Sequence, residues 1–210
     1  MPSDLRHVNI DRQLGIGISR LGRLLQEIAG CRACAAVLPH APRPVVQAGR
    51  GARVLVIGQA PGRKVHASGV PWDDPSGRRL REWLGVDAAA FYDPERFALV
   101  PMGFCYPGTG ASGDLAPRPE CAPLWHARLL AELPRVQLTL LLSRYAQDHY
   151  LPAAEGRTLT DTVRAWREHD PTVLPLPHPS PRNNRWLAAN PWFTDELLPV
   201  LRARVAAALA

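Results

Sequence analysis

No apolar run in this 210-residue chain reaches the ~18 residues that a membrane span needs. The longest, around Val136–Leu142, has the length of a buried strand. The N-terminus lacks a signal core as well. It carries Asp4, Arg6, Asp11 and Arg12 without an apolar stretch, so export is not expected and a cytoplasmic setting, the bacterial cytosol or nucleoid, is. Lysine is nearly missing. Lys64 stands alone, and every other basic residue is arginine. Cysteine is sparse, with 4 in the whole chain.

Hydrophobic residues make up 46% and charged residues 21%, values of an ordinary globular protein that exclude disordered, fibrous and coiled-coil classes. The length suits one medium domain, 1–210, with residues 1–30 as a helical N-terminal extension. The net charge of +6 and pI near 9.7 favour polyanions, and arginine forks suit phosphates. A GC-rich genome would give the same arginine bias, so charge alone only leans towards nucleic acid.

Ile16–Ala29 has the spacing of an amphipathic helix, with Ile18, Leu21, Leu24, Leu25 and Ile28 recurring on one face. Arg53–Gly58 reads as a central strand buried on both faces. The Gly- and Pro-rich loop Gln59–Gly77 follows, then a helix over Arg78–Leu84. A second strand is predicted at Phe97–Met102, and irregular chain over Gly103–Pro119 leads to a helix at Ala122–Leu133. The third strand is Gln137–Leu142. Helices follow near Tyr145–Leu151 and Thr160–His169, with Thr160 as a cap, and the fourth strand is Thr172–Leu176. Thr194–Ala208 forms the last helix. The alternation implies an α/β fold, a three-layer α/β/α sandwich around a mostly parallel four-stranded sheet. Ligands of such sheets bind beyond the carboxyl ends of the strands. Three loops, Gln59–Gly77, Gly103–Pro119 and His178–Asn184, should therefore converge on one composite site.

The cysteines fall as Cys31-x2-Cys34, then Cys105 and Cys121. A reducing compartment favours a metal over disulfides, and zinc or an iron–sulfur cluster would each accept four thiolates. Ordinary buried cysteines would also account for Cys105 and Cys121.

Gly58-Gln59-Ala60-Pro61-Gly62 lacks both the dinucleotide fingerprint and the P-loop Gly-Lys-Ser/Thr. It presents backbone N–H groups and one amide side chain at a strand end. Trp72, between Pro71 and the pair Asp73 and Asp74, is more plausible half-exposed than as core. The aspartates supply two carboxylates or, equally, a turn or a helix cap. His178 lies in Pro177-His178-Pro179-Ser180-Pro181-Arg182-Asn183, where three prolines stiffen the backbone. Ser180 and Arg182 are good phosphate contacts, so the loop suits an anionic polymer.

These residues resemble the uracil-DNA glycosylase superfamily. Gly58-Gln-Ala-Pro-Gly62 is similar to its first motif and His178-Pro-Ser-Pro181 to its second, and the cysteine spacing is similar to the family 4 enzymes, which carry a four-cysteine [4Fe-4S] cluster. The resemblance runs from about Leu24 to Leu201. It implies a monofunctional base-flipping repair enzyme that cuts the bond between uracil and its sugar and leaves an abasic site. Such an enzyme would act on uracil in single- or double-stranded DNA, as a monomer without membrane contact. His178 would donate to the uracil O2, and Trp72 would stack on the base. Backbone groups of Gln59 and Ala60 would contact the pyrimidine. Ser180 would bind a phosphate, and Arg182 and Asn183 would stand where a wedge fills the duplex. Cys31, Cys34, Cys105 and Cys121 would hold a structural [4Fe-4S] cluster, with zinc as the weaker alternative. No lysine lies in the motifs to form a Schiff base, so strand cleavage is not expected.

The sequence also departs from the family. Ala60 replaces the family 1 aspartate that handles water, Gln59 stands at the acidic second position of family 4, and a later acidic position is Val65. The pyrimidine-reading asparagine gives way to Val100-Pro101, and Gly62 replaces the tyrosine that excludes thymine. Gln59, Asp73, Asp74 and His66 are the candidates left for placing water, with a solvated surface histidine as the plainer account of His66. The alternatives are a glycosylase for another deaminated base such as hypoxanthine, and a non-catalytic relative that binds uracil or abasic sites.

Overall fold

The computed structural model describes residues 19–111, 113–151 and 156–210. Its strands are β1 (Val54–Ile57), β2 (Phe97–Leu99), β3 (Thr109–Gly110), β4 (Gly113–Asp114), β5 (Leu138–Leu142) and β6 (Val173–Leu176). The four longer ones form a single sheet in the order β2-β1-β5-β6, every pair parallel, with Val56 opposite Leu99 and Leu140, and Leu140 opposite Leu174. β3 and β4 pair separately as an antiparallel hairpin. The helices are α1 (Arg20–Ala29), α2 (Arg63–Ser68), α3 (Pro75–Leu84), α4 (Ala88–Phe91), α5 (Cys121–Leu130), α6 (Arg144–Tyr150), α7 (Leu159–Arg164), α8 (Asn184–Ala189) and α9 (Leu198–Leu209).

Successive strand residues point to opposite faces, and each face has its own apolar layer. Val54, Val56, Leu140 and Leu174 meet Leu80 and Trp83 of α3, Val163 of α7, and Leu201 and Val205 of α9. Leu55, Ile57 and Leu141 meet Leu24 and Ile28 of α1, Leu129 of α5 and Ala146 of α6. The result is the expected three-layer sandwich. The helical extension is packed into its second layer, where Ile28 is fully buried. Ile16–Ile18 lie outside the described residues, and Ser19 caps α1 by accepting the Gly22 N–H at 3.0 Å.

Several element boundaries differ from the sequence expectation. The predicted loop Gln59–Gly77 contains α2, whose last carbonyls are satisfied by Arg43: its guanidinium donates to His66 O at 2.6 Å, Ala67 O at 2.7 Å and Ser68 O at 3.2 Å. The next helix starts at Pro75, not Arg78, because the Asp74 Oδ1 accepts the Gly77 N–H at 2.8 Å and proline suits a first helical turn. Thr160 is not a cap. Thr158 caps α7, which ends at Arg164, well short of His169. β2 ends at Leu99, two residues before Pro101, which has no N–H for a ladder. The C-terminal helix opens with a π-helical turn, Phe193–Leu197. α4 and α8 went unread.

Candidate active site

The loops after β1, β2 and β6 do converge. Together they enclose a cavity of about 400 Å³ lined by Gln59, Ala60, Trp72, Pro101, Asp114 and His178, among others. Trp72 and His178 face each other with ring centroids 5.6 Å apart.

Two glycines adapt the backbone to Trp72. Trp72 has φ of 57°, the left-handed region, which costs a non-glycine residue roughly 1–3 kcal/mol. Gly58, at the end of β1, lets the indole lie on the main chain: a Cβ there would come within 2.8 Å of the ring. A Cβ at Gly77 would collide with the Trp72 carbonyl. The first turn of α3 thus tucks beneath the tryptophan, and the strain is held by neighbours on both sides. Half-buried, the ring keeps one side towards the cavity, as its setting between proline and aspartates implied.

The histidine loop is braced with equal care. The Ser180 N–H donates to His178 Nδ1 at 3.2 Å, which makes Nδ1 an acceptor and leaves the ring proton on Nε2. Asn183 Nδ2 donates to the His178 carbonyl at 2.7 Å, and Arg79 donates to the Ser180 carbonyl at 3.1 Å. Burial lowers the imidazole pKa from its ordinary value, and the nearby Asp74 carboxylate opposes that shift only in part. At neutral pH the ring is an uncharged N–H donor at the edge of a half-open cavity. Such a group can stabilise negative charge developing on an oxygen without first losing a proton.

A family model described as the Uracil DNA glycosylase superfamily matches residues 46–202. The chain belongs to that superfamily. Membership brings its coarse activity, a DNA glycosylase: a hydrolase of DNA repair that takes DNA as its substrate.

Gln59 and Ala60 line the cavity, but the Gln59 amide has a further task, since its Nε2 donates to the Leu115 carbonyl at 3.3 Å. Ser180 lines the cavity too, with its Oγ accepting the Arg182 N–H at 3.2 Å. Arg182 is exposed at the tip of the second motif, whereas Asn183 works as an internal strut of the loop. The two aspartates part company. Asp74 reaches the cavity wall while capping α3; Asp73 is exposed and is not a lining residue. His66 packs with His40 and Tyr106, at ring distances of 5.3 and 5.7 Å, and does not line the cavity either. Lys64 is exposed on α2, also outside it.

Sequence reading missed Asp114 on β4, Arg79 and Arg43. Asp114 lies in a stretch read as irregular, where Gly108-Thr-Gly-Ala-Ser-Gly113 looks like loop and only the structure reveals a hairpin returning to the first motif. Nothing in the local sequence distinguishes Arg79 from its neighbour Arg78.

The four cysteines line a second, apolar cavity together with Pro42, Pro44, Phe104 and Trp125. The Phe104 N–H donates to Cys121 Sγ at 3.2 Å, and burial pushes the Cys121 thiol up to about 12. Among the described residues no three Cys, His, Asp or Glu side chains stand close enough to hold a metal ion. Four soft sulfur donors around one apolar space nevertheless fit a group bound by four thiolates.

Proposed function

We propose that this protein excises uracil from single- or double-stranded DNA, hydrolysing the glycosidic bond and leaving an abasic site. One observation carries the reading: a histidine of the second motif, whose Nδ1 accepts from Ser180 and whose Nε2 is left as the donor, lines one cavity with a backbone-strained tryptophan. The flipped base stacks on Trp72 and is met by backbone groups of Gln59 and Ala60. As the bond to the sugar lengthens, charge collects on the base oxygen that accepts from His178, where a single preorganised donor is worth about 10²–10³ in rate. Ser180 and the exposed Arg182 take the phosphate backbone. Among the described residues no lysine lines the cavity, Lys64 being exposed on α2, which supports a monofunctional reading without a Schiff base.

Cys31, Cys34, Cys105 and Cys121 would hold a [4Fe-4S] cluster, with zinc as the alternative. Such a group would cross-link the end of α1, the loop after β2 and the start of α5. Iron and sulfide analysis of the purified protein decides between the two.

A second reading, excision of hypoxanthine, draws support from Pro101. It lines the cavity in the stretch where an asparagine would read a pyrimidine edge, and it carries no donor. Labelled oligonucleotides with one uracil or one hypoxanthine, incubated with enzyme and then treated with alkali, test both. Cleavage of the uracil strand is expected. Cleavage at hypoxanthine alone would shift the assignment, and tight binding without any cleavage would make the protein a damage-binding relative.

A further inference from the structure

A glycosylase of this kind must place a water against the sugar, yet the first motif holds no carboxylate, since Gln59 and Ala60 occupy its second and third positions. The structure brings one in from elsewhere. Asp114, on the β3–β4 hairpin, lines the same cavity as Trp72 and His178. Its carboxylate stands against the motif itself, because a Cβ added at Gly62 would lie 3.2 Å from Oδ2. Among the described residues that carboxylate makes no hydrogen bond or ion pair, whereas Asp74 is engaged as a helix cap and Asp73 lies off the cavity wall.

The hairpin is held where it is from both motifs. Gln59 Nε2 donates to the carbonyl of Leu115, the residue next to Asp114. On the other side the Arg182 guanidinium packs so closely on Gly113 that a Cβ there would strike it. Gly113 itself has φ of 134°, which suits glycine alone. Within the turn, the Leu115 N–H donates to Gly108 O at 2.9 Å. Gly62 then has a reason of its own: a side chain at this fifth motif position would crowd the carboxylate.

We propose that Asp114 is the catalytic carboxylate that holds and deprotonates the hydrolytic water, and that Gln59 is a positioning residue acting through the hairpin. The proposal rests on the glycosylase reading above. The bond between C1′ and the base nitrogen breaks with its electron pair going to the base. The water oxygen bonds to C1′, and the proton it sheds passes to Asp114 and on to solvent. The base leaves as an anion held by the His178 N–H and is protonated from solvent.

The test is single-turnover excision with a uracil oligonucleotide, alongside fluorescence anisotropy on the same strand. Asp114→Asn should keep the affinity of the native protein and lose about 100-fold in the excision step, the low end of what a positioned general base contributes. Asp114→Glu should regain part of the rate, and Gln59→Ala should fall by less than Asp114→Asn. The site is exposed, so the thermal midpoint should not move. Native excision with an Asp114→Asn rate within about threefold of native overturns the proposal and leaves the glycosylase reading intact; so does a variant that loses affinity together with rate. A native protein that excises no base overturns both.

Discussion

Two histidines, His178 on the cavity wall and His126 buried behind it, do opposite things. His178, in the loop after β6, lines the cavity and has one ring nitrogen accepting from Ser180 while the other keeps its proton. His126, on α5 behind the β2 loop, has both nitrogens committed. Because the Pro101 carbonyl can only accept, Nε2 donates to it at 3.0 Å, and Nδ1 accepts from the Tyr150 hydroxyl at 2.6 Å. Burial depresses both pKa values, that of His126 to about 4. Desolvation therefore does not separate the reagent from the brace. What separates them is whether an N–H is left over once the fold has taken its share.

The two sites should fail differently. His178→Ala should lower single-turnover excision by about 10²–10³, as for loss of one preorganised donor, with little change in thermal midpoint. An unchanged rate would remove His178 from the chemistry. His126→Gln should do the reverse and show its effect in stability. The native state keeps His126 neutral down to about 4, while the unfolded chain takes up a proton near the ordinary value of 6.5. Between those pH values the unfolded state binds more protons, so stability falls as the solution is acidified, by roughly 3 kcal/mol across the window. Melting curves from pH 7 to 4 should be clearly flatter for His126→Gln than for the native protein. Equal slopes would mean that His126 is already charged in the fold.

The layer order and the convergence of three loops were legible because buried parallel strands leave continuous apolar runs such as Val54–Ile57, and ligand loops follow from strand direction. Local chemistry was legible where one residue type dictates it: Trp72 beside its aspartates, and His178 between prolines. Structure made by distant partners was not. α2 ends where Arg43 supplies its cap from some 23 residues upstream, and α7 starts at Thr158 rather than at Thr160, whose Oγ1 instead accepts from Trp186 Nε1 at 2.8 Å. Asp114 was hidden for the same reason, since its place depends on a two-residue strand pairing and on Gln59, 55 positions away. The roles of Gly58 and Gly77 were equally invisible, because each is defined by the indole lying on it.

The smallest expected effect separates the two carboxylates of the cavity. Asn accepts the N–H of a helix N-terminus about as well as Asp, so Asp74→Asn should keep α3 and the Trp72 platform in place. What it removes is a negative charge beside His178, the one influence holding that imidazole's pKa up against burial. With the charge gone the pKa drops further, and the neutral donor persists to lower pH. The acid limb of excision, already below the ordinary imidazole range in the native protein, should move to still lower pH, while the rate at pH 7, where the ring is neutral in both proteins, stays within about twofold. A fall of about 100-fold at every pH would instead make Asp74 the carboxylate that handles water, and would return Asp114 to the role of a hairpin residue. A limb moving to higher pH would contradict the assigned electrostatics, because removing a nearby negative charge cannot favour a protonated ring.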